Sequence, residues 1–250
     1  AQTTAPPSAD ASCFTNEGSP VRVAAIETSP GLVVFVLDPD LRPALAAIDP
    51  MKDLEKGDMD TWVKMIPLDR GTSMHVQWPI AEQHRTNDNA SSVLFPTTYD
   101  VDASSTGLVW LLTRSAGEHA QDDTPRQAAD AVLVAGLNAM KGAHRRAVVL
   151  VLSGHKDEST YGGATSRKYL SSIGVPLFVW SLDGPHPELN GVWGAVEDVS
   201  SLPKLQAAAE HLKTELASQR VAWIAADPLT ALRIQPTGRC GMTPLASASH

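Results

Sequence analysis

The chain has 250 residues, 43% hydrophobic and 19% charged, with 20 Lys+Arg against 28 Asp+Glu for a net charge of -8, enough apolar material for one large α/β domain. No basic run exceeds Arg145-Arg146, so the positive footprint that a phosphate backbone demands is missing and nucleic acid is not an expected partner. No apolar stretch approaches the roughly 20 residues that span a bilayer.

Residues 1–19 are rich in Pro, Ser, Thr and Ala without periodicity and read as a flexible tail that becomes ordered only near Cys13. Their opening, AQTTAPPSADAS, suits a chain whose export signal has been removed after a small residue, so an exported (periplasmic or extracellular) protein is expected, although an arbitrary boundary would look the same. Cys13 and Cys240 are the two cysteines. In an oxidising compartment their bond would close nearly the whole chain, a loop worth on the order of 4–5 kcal/mol by chain entropy; two unrelated thiols are the other reading.

VRVAAIE (21–27) reads as a strand, and Ser29-Pro30-Gly31 as the turn into LVVFVLD (32–38). The second run has no polar alternation, which predicts burial on both faces at the centre of a sheet. Leu45, Ile48, Met51 and Leu54 then recur near helical spacing, with Pro50 ending or kinking the helix near Ile48. Strand-like runs on either side of Asp69-Arg70-Gly71-Thr72 predict an antiparallel hairpin. The polar segment 83–107 is expected to be mostly loop.

In DTPRQAADAVLVAGLNAMKG, Thr124 is expected as N-cap, Pro125 as the first helical residue and Gln127 as the partner in a capping box, with Gly142 ending the helix. A strand over 145–154, a helix near 165–174, a strand over 175–184, a helix through Leu202, Leu205, Ala209, Leu212 and Leu216, and a last strand over 220–226 follow. Alternating helices and fully apolar strands predict a doubly wound, mostly parallel Rossmann-like sheet with helices on both faces and one antiparallel edge strand from the hairpin. The main domain covers 20–228, and 229–250 form a C-terminal extension.

LVVFVLDPD, TPRQAADAVLVAGLNAM, RRAVVLVLSGHKDEST with YLSSIGVPLFVWSL, and LKTELASQRVAWIAADP, in that order over roughly 30–228, resemble the von Willebrand factor type A domain, in particular the bacterial exported branch called VWFA-related. The resemblance implies a metal-ion-dependent adhesion site at the carboxyl ends of the central strands, where open α/β sheets place ligands. Its usual pattern is D-x-S-x-S after the first strand, a threonine in the second loop and an aspartate after the fourth strand, hard oxygen ligands for a divalent cation.

This chain departs from that pattern. Asp38 matches the first aspartate and Thr124 the threonine, but Asp40 and Arg42 replace the serines, and Ser153-Gly154 replaces Asp-Gly. Arginine cannot ligate a cation and is always protonated. Arg42 is therefore expected to stand in for the metal through charge-assisted bonds to Asp38 or Asp40. The alternative is that Arg42 faces solvent while Asp38, Asp40 and Thr124 hold Mg2+ or Ca2+.

Other clusters are weaker. DVDASST (100–106) carries D-x-S-x-T but reads as a loop and helix cap. Ser153 to Glu158 suggests a hydrolase, yet there is no G-x-S-x-G elbow and neighbours on one loop seldom face each other as nucleophile and base. The eight histidines show no H-x-x-x-H spacing, and no phosphate-binding glycine motif follows a strand. Of the six tryptophans, Trp193 is expected as an exposed anchor, since tryptophan is enriched in interface hot spots.

The expected function is a non-enzymatic protein-interaction or adhesion module without cofactor, binding an unidentified protein through Asp38, Asp40, Arg42, Thr124, Ser153, His155 and Trp193. A cation-dependent ligand-binding domain and a hydrolase using the Ser153 to Glu158 loop are the alternatives.

Overall fold

The computed structural model describes residues 2–3, 13–48, 68, 71–86, 89–97, 101–102, 108, 112, 124–224, 234–237, 242–243 and 245. Its strands are β1 (Gln2–Thr3), β2 (Phe14–Asn16), β3 (Ser19–Pro20), β4 (Val23–Glu27), β5 (Gly31–Leu37), β6 (Thr72–Gln77), β7 (Ala81–Thr86), β8 (Asn89–Leu94) and β9 (Val101–Asp102). After them come β10 (Arg145–Leu152), β11 (Leu177–Ser181), β12 (Val196–Asp198), β13 (Val221–Ile224), β14 (Ile234–Pro236) and β15 (Met242–Thr243). The helices are α1 (Arg42–Ile48), α2 (Ala128–Ala139), α3 (Gly163–Ser172), the single turn α4 (Asn190–Trp193) and α5 (Leu202–Ser218).

The main sheet runs β12-β11-β10-β5-β6-β9, parallel except for β9, which pairs antiparallel with β6 at the edge. This is the doubly wound order, with the chain reversing direction between β5 and β10. Every residue of β5 is buried because strand periodicity deals its side chains to two cores. Val33, Phe35 and Leu37 meet Met74, Val149, Trp180 and the α5 stripe of Leu205, Ala209, Leu212 and Leu216 on one face. Leu32, Val34 and Val36 meet Val148, Leu150 and the α2 residues Ala131, Val132 and Ala135 on the other. Each fully buried Leu, Val or Phe contributes about 1.5–3 kcal/mol of transfer free energy.

Four expectations are corrected. Thr72–Gln77 is not half of a hairpin: it pairs parallel to β5 from Gly31↔Thr72 onward, after a crossover that carries α1. The hairpin lies later, β7 against β8, inside the stretch expected to be loop. Its strands AEQHRT and NASSVL are polar, so nothing in their periodicity announces them. The last strand of the main sheet is the short β12, whereas β13 pairs antiparallel with β4 outside that sheet. Finally, Phe14–Asn16 and Ser19–Pro20, expected as tail, form a small sheet with β14, and Cys13 and Phe14 are buried beside Val21 and Val23.

Cys13 is not a free thiol. Cys240, most of the C-terminal extension, the strand-like run before Leu68, the 100–106 motif beyond Val101 and Asp102, Trp62 and Trp110 lie outside the described residues.

Candidate functional site

The site is built where β5 and β10 diverge, at the crevice an open α/β sheet leaves between strands whose connections leave in opposite directions. Asp38 follows the last residue of β5 and is 2% exposed. Its Oδ1 accepts the Asp40 N–H at 3.0 Å and its carbonyl accepts the Leu41 N–H at 3.1 Å, an Asx turn that opens α1. Asp38 Oδ2 accepts a bond from Arg126 Nε at 3.0 Å.

Arg126 is the centre of the arrangement. Its guanidinium donates from Nε to Asp38, from a second nitrogen to Asp40 Oδ2 at 2.5 Å, and from the third to the Thr124 carbonyl at 2.5 Å, and the residue is 4% exposed. Its main chain is held as firmly. The Arg126 carbonyl accepts the Glu158 N–H at 2.7 Å, and the next amide, Gln127 N–H, donates to the Pro79 carbonyl at 2.8 Å. A planar fork between two carboxylates is the geometry for which arginine is suited.

An arginine does stand between the two aspartates, and among the described side chains it is Arg126. Arg126 meets both aspartates, while Arg42 opens α1 and its side chain lies outside the described residues. Arg126 stands in TPRQ, two residues after the residue matched to the threonine, and nothing in that stretch marks it as a counterion.

The expected capping box is also absent. Thr124 and Pro125 precede the helix, whose N-cap is Gln127 without a side-chain cap bond. The loop after β10 caps α2 from outside: Asp157 Oδ1 accepts the Ala128 N–H at 3.0 Å, and Ser159 Oγ accepts those of Ala129 and Asp130 at 2.9 and 3.1 Å. Asp130 returns the contact by accepting the Thr160 and Tyr161 N–H groups at 2.8 and 3.0 Å.

His155, 44% exposed, places Nε2 at 2.9 Å from Asp40 Oδ2. No hydrogen bond links it to Ser153, which is half-buried on the same loop. Asp38, Asp40 and His155 each offer an atom, all within 4.8 Å of one another, so a cation could be held there if Arg126 withdrew.

Beside Arg126 lies a cavity of about 310 Å3 with Asp38, Ser153 and His155 among its polar lining and Leu189, Val192 and Trp193 on its apolar side. Trp193 is not an exposed anchor: it is buried, 7% exposed, with its ring over Gly163, where a Cβ would come within 2.7 Å of Cε2. Trp223 is the exposed tryptophan among the described residues, at 47%, and its Nε1 donates to Glu27 Oε1.

No family model and no curated protein matches the chain. Solved structures resemble it in fold. Proximal thread matrix protein 1 from the mussel byssus is 13% identical over 85% of this chain and 51% of its own, with a TM-score of 0.44. The pilus adhesin SpaC from Lactobacillus rhamnosus GG is 8% identical over 76% and 30%, with a TM-score of 0.46. The ArnB paralog VWA2 from Sulfolobus acidocaldarius is 10% identical over 73% and 45%, with a TM-score of 0.37. The chain thus spans about half or less of each, and at such identities the likeness says nothing of what it binds. Among the described residues no helix is long and apolar enough to cross a membrane.

Proposed function

We propose that the chain is a non-enzymatic protein-interaction module whose strand-end site works without a metal. One observation carries this reading: the buried Arg126 guanidinium bridges Asp38 and Asp40. The guanidinium alone would repel a divalent cation 4 Å away by about 8 kcal/mol at an effective dielectric of 20, which offsets the attraction of one of the two carboxylates at that range. The cavity next to the bridge would take an apolar side chain of the partner protein against Leu189 and Val192, while His155, Asp157 and Glu158 supply the polar rim.

The cation-dependent reading is favoured by the convergence of Asp38, Asp40 and His155. It needs Arg126 to leave a place where three hydrogen bonds hold it. The hydrolase reading has less support, because no hydrogen bond joins His155 to Ser153.

Thermal denaturation with and without millimolar Mg2+, Ca2+ or Mn2+ tests the proposal. The melting temperature of the natural chain should not move, whereas Arg126→Gln should acquire a cation-dependent rise. A rise in the natural chain would establish the cation-dependent reading instead.

Export to an oxidising compartment belongs to the same proposal, with Cys13 bonded to Cys240. Its support is the Thr237 N–H donating to the Cys13 carbonyl at 3.0 Å, which brings the chain beside Cys13 three residues before Cys240. Alkylation of the unreduced protein followed by mass measurement should find no free thiol.

A further inference from the structure

At the opposite end of the sheet a cavity of about 440 Å3 lies in the seam between the start of β10 and the small sheets built from the chain's two ends. Although the chain carries a net charge of -8, the described lining holds His144, Arg145, Arg146 and Arg220 and no carboxylate. Arg145 is committed to the backbone, with Nε donating to the Ser29 carbonyl at 2.7 Å and another nitrogen to the Leu216 carbonyl at 3.3 Å.

Arg146 is placed differently. The Gln219 amide, 2% exposed, grips its main chain from both sides: Oε1 accepts the Arg146 N–H at 2.8 Å and Nε2 donates to the Arg146 carbonyl at 3.0 Å. The side chain so held is half-buried, and its one partner among the described residues is the Met140 thioether, a weak acceptor, at 2.7 Å. Burial pushes the guanidinium below its ordinary pKa, and no carboxylate lines the cavity among the described residues. Nearby, His144 Nδ1 is buried without a hydrogen-bond partner. Much of the remaining wall is apolar, from Phe14, Val221, Ile224 and Ile234.

We infer that this cavity binds a small organic anion, a carboxylate on an apolar body, with its head on Arg146 and its body against Phe14, Ile224 and Ile234. A carboxylate supplies the paired acceptors that a guanidinium fork takes best. An inorganic anion would leave the apolar wall wet, and a neutral apolar molecule would leave the donors unpaired. Cavities of this size with few polar groups and an apolar wall are the usual form of small-molecule sites. The site shares no residue with the Asp38–Arg126 bridge, so its failure would leave the proposed function untouched.

Calorimetric titration and thermal shift of the whole chain with octanoate, octan-1-ol, acetate and N-acetylleucine test the inference. Octanoate or N-acetylleucine should bind at least about tenfold more tightly than octan-1-ol or acetate, the difference expected of one charge-assisted pair. The stronger of those two carboxylates tells whether a free acid or a peptide-like carboxyl is preferred. Arg146→Gln should weaken binding at least about tenfold, and Ala222→Trp, which fills the cavity from its wall, should do the same. Absence of binding by both carboxylates, equal binding of octan-1-ol, or undiminished binding in Ala222→Trp would each overturn the proposal; the ligand comparison holds even if a variant fails to fold.

Discussion

Arg126 and Arg145 sit at opposite ends of the same sheet, 4% and 5% exposed, and each guanidinium is hydrogen-bonded, yet their partners differ in kind. Arg126 faces two carboxylates, so the pair carries its own countercharge. Arg145 donates to the carbonyls of Ser29 and Leu216, the second close to the end of α5, where it joins the Gln219 N–H on the same oxygen. The first arginine offsets charge at a site; the second closes a helix end onto a strand. A buried arginine is thus no guide to function until the charge of its acceptors is known.

Removing each arginine sharpens the contrast. Arg126→Ala should cost about 3–5 kcal/mol in urea denaturation at pH 7, because Asp38 would be left as an uncompensated buried charge. Asp38→Asn on the same chain should recover part of that loss. Arg145→Met should cost less, about 1–3 kcal/mol, since it takes a donor from neutral carbonyls only, and it should create no response to cations. Equal losses in the two variants would break the distinction.

A smaller effect probes the loop that closes over Arg126. Ser159→Ala removes the acceptor of two α2 amides and should lower stability by about 1 kcal/mol, the ordinary worth of a helix cap. The smallest effect is expected at His186, whose imidazole pKa is raised above 6.5 by the hydrogen bonds it donates to Asp183 and then Glu188. Its stabilisation is complete below the unfolded value and fades as pH rises through the higher folded one. The melting temperature of the natural chain should therefore lose a small increment near and above neutral pH that His186→Asn does not show.

The architecture was legible wherever hydrophobic periodicity was unambiguous. LVVFVLD, RRAVVLVL and LFVWS could only be strands covered on both faces, and the leucine and alanine stripe of α5 could only face a sheet. The edges were harder. β12 is three half-buried residues, two of them acidic, and β7 and β8 carry no alternation, so only tertiary pairing defines them. Thr72–Gln77 was misplaced because Asp-Arg-Gly-Thr has the composition of a hairpin turn, while Gly71 at φ +79° instead delivers the chain to the side of β5.

At the site, the two aspartates were readable from their position after a buried strand. The identity of their counterion was not. Arg126 lies 88 residues from Asp38 in sequence, and a buried arginine has the same local pattern as a solvated one. Trp193 was misjudged for a similar reason: a loop composition rich in Pro, Gly and Asn gives no hint that Gly163 leaves room for an indole.

The capping of α2 by Asp157 and Ser159 ties the first turn of a helix to a loop that a ligand would touch. The two segments therefore open together: the amide protons of Ala128, Ala129 and Asp130 should exchange with solvent at the rate of the 157–159 loop, faster than the rest of their helix. Occupancy above the bridge would then be audible at those three protons, even where no atom of the visitor reaches them.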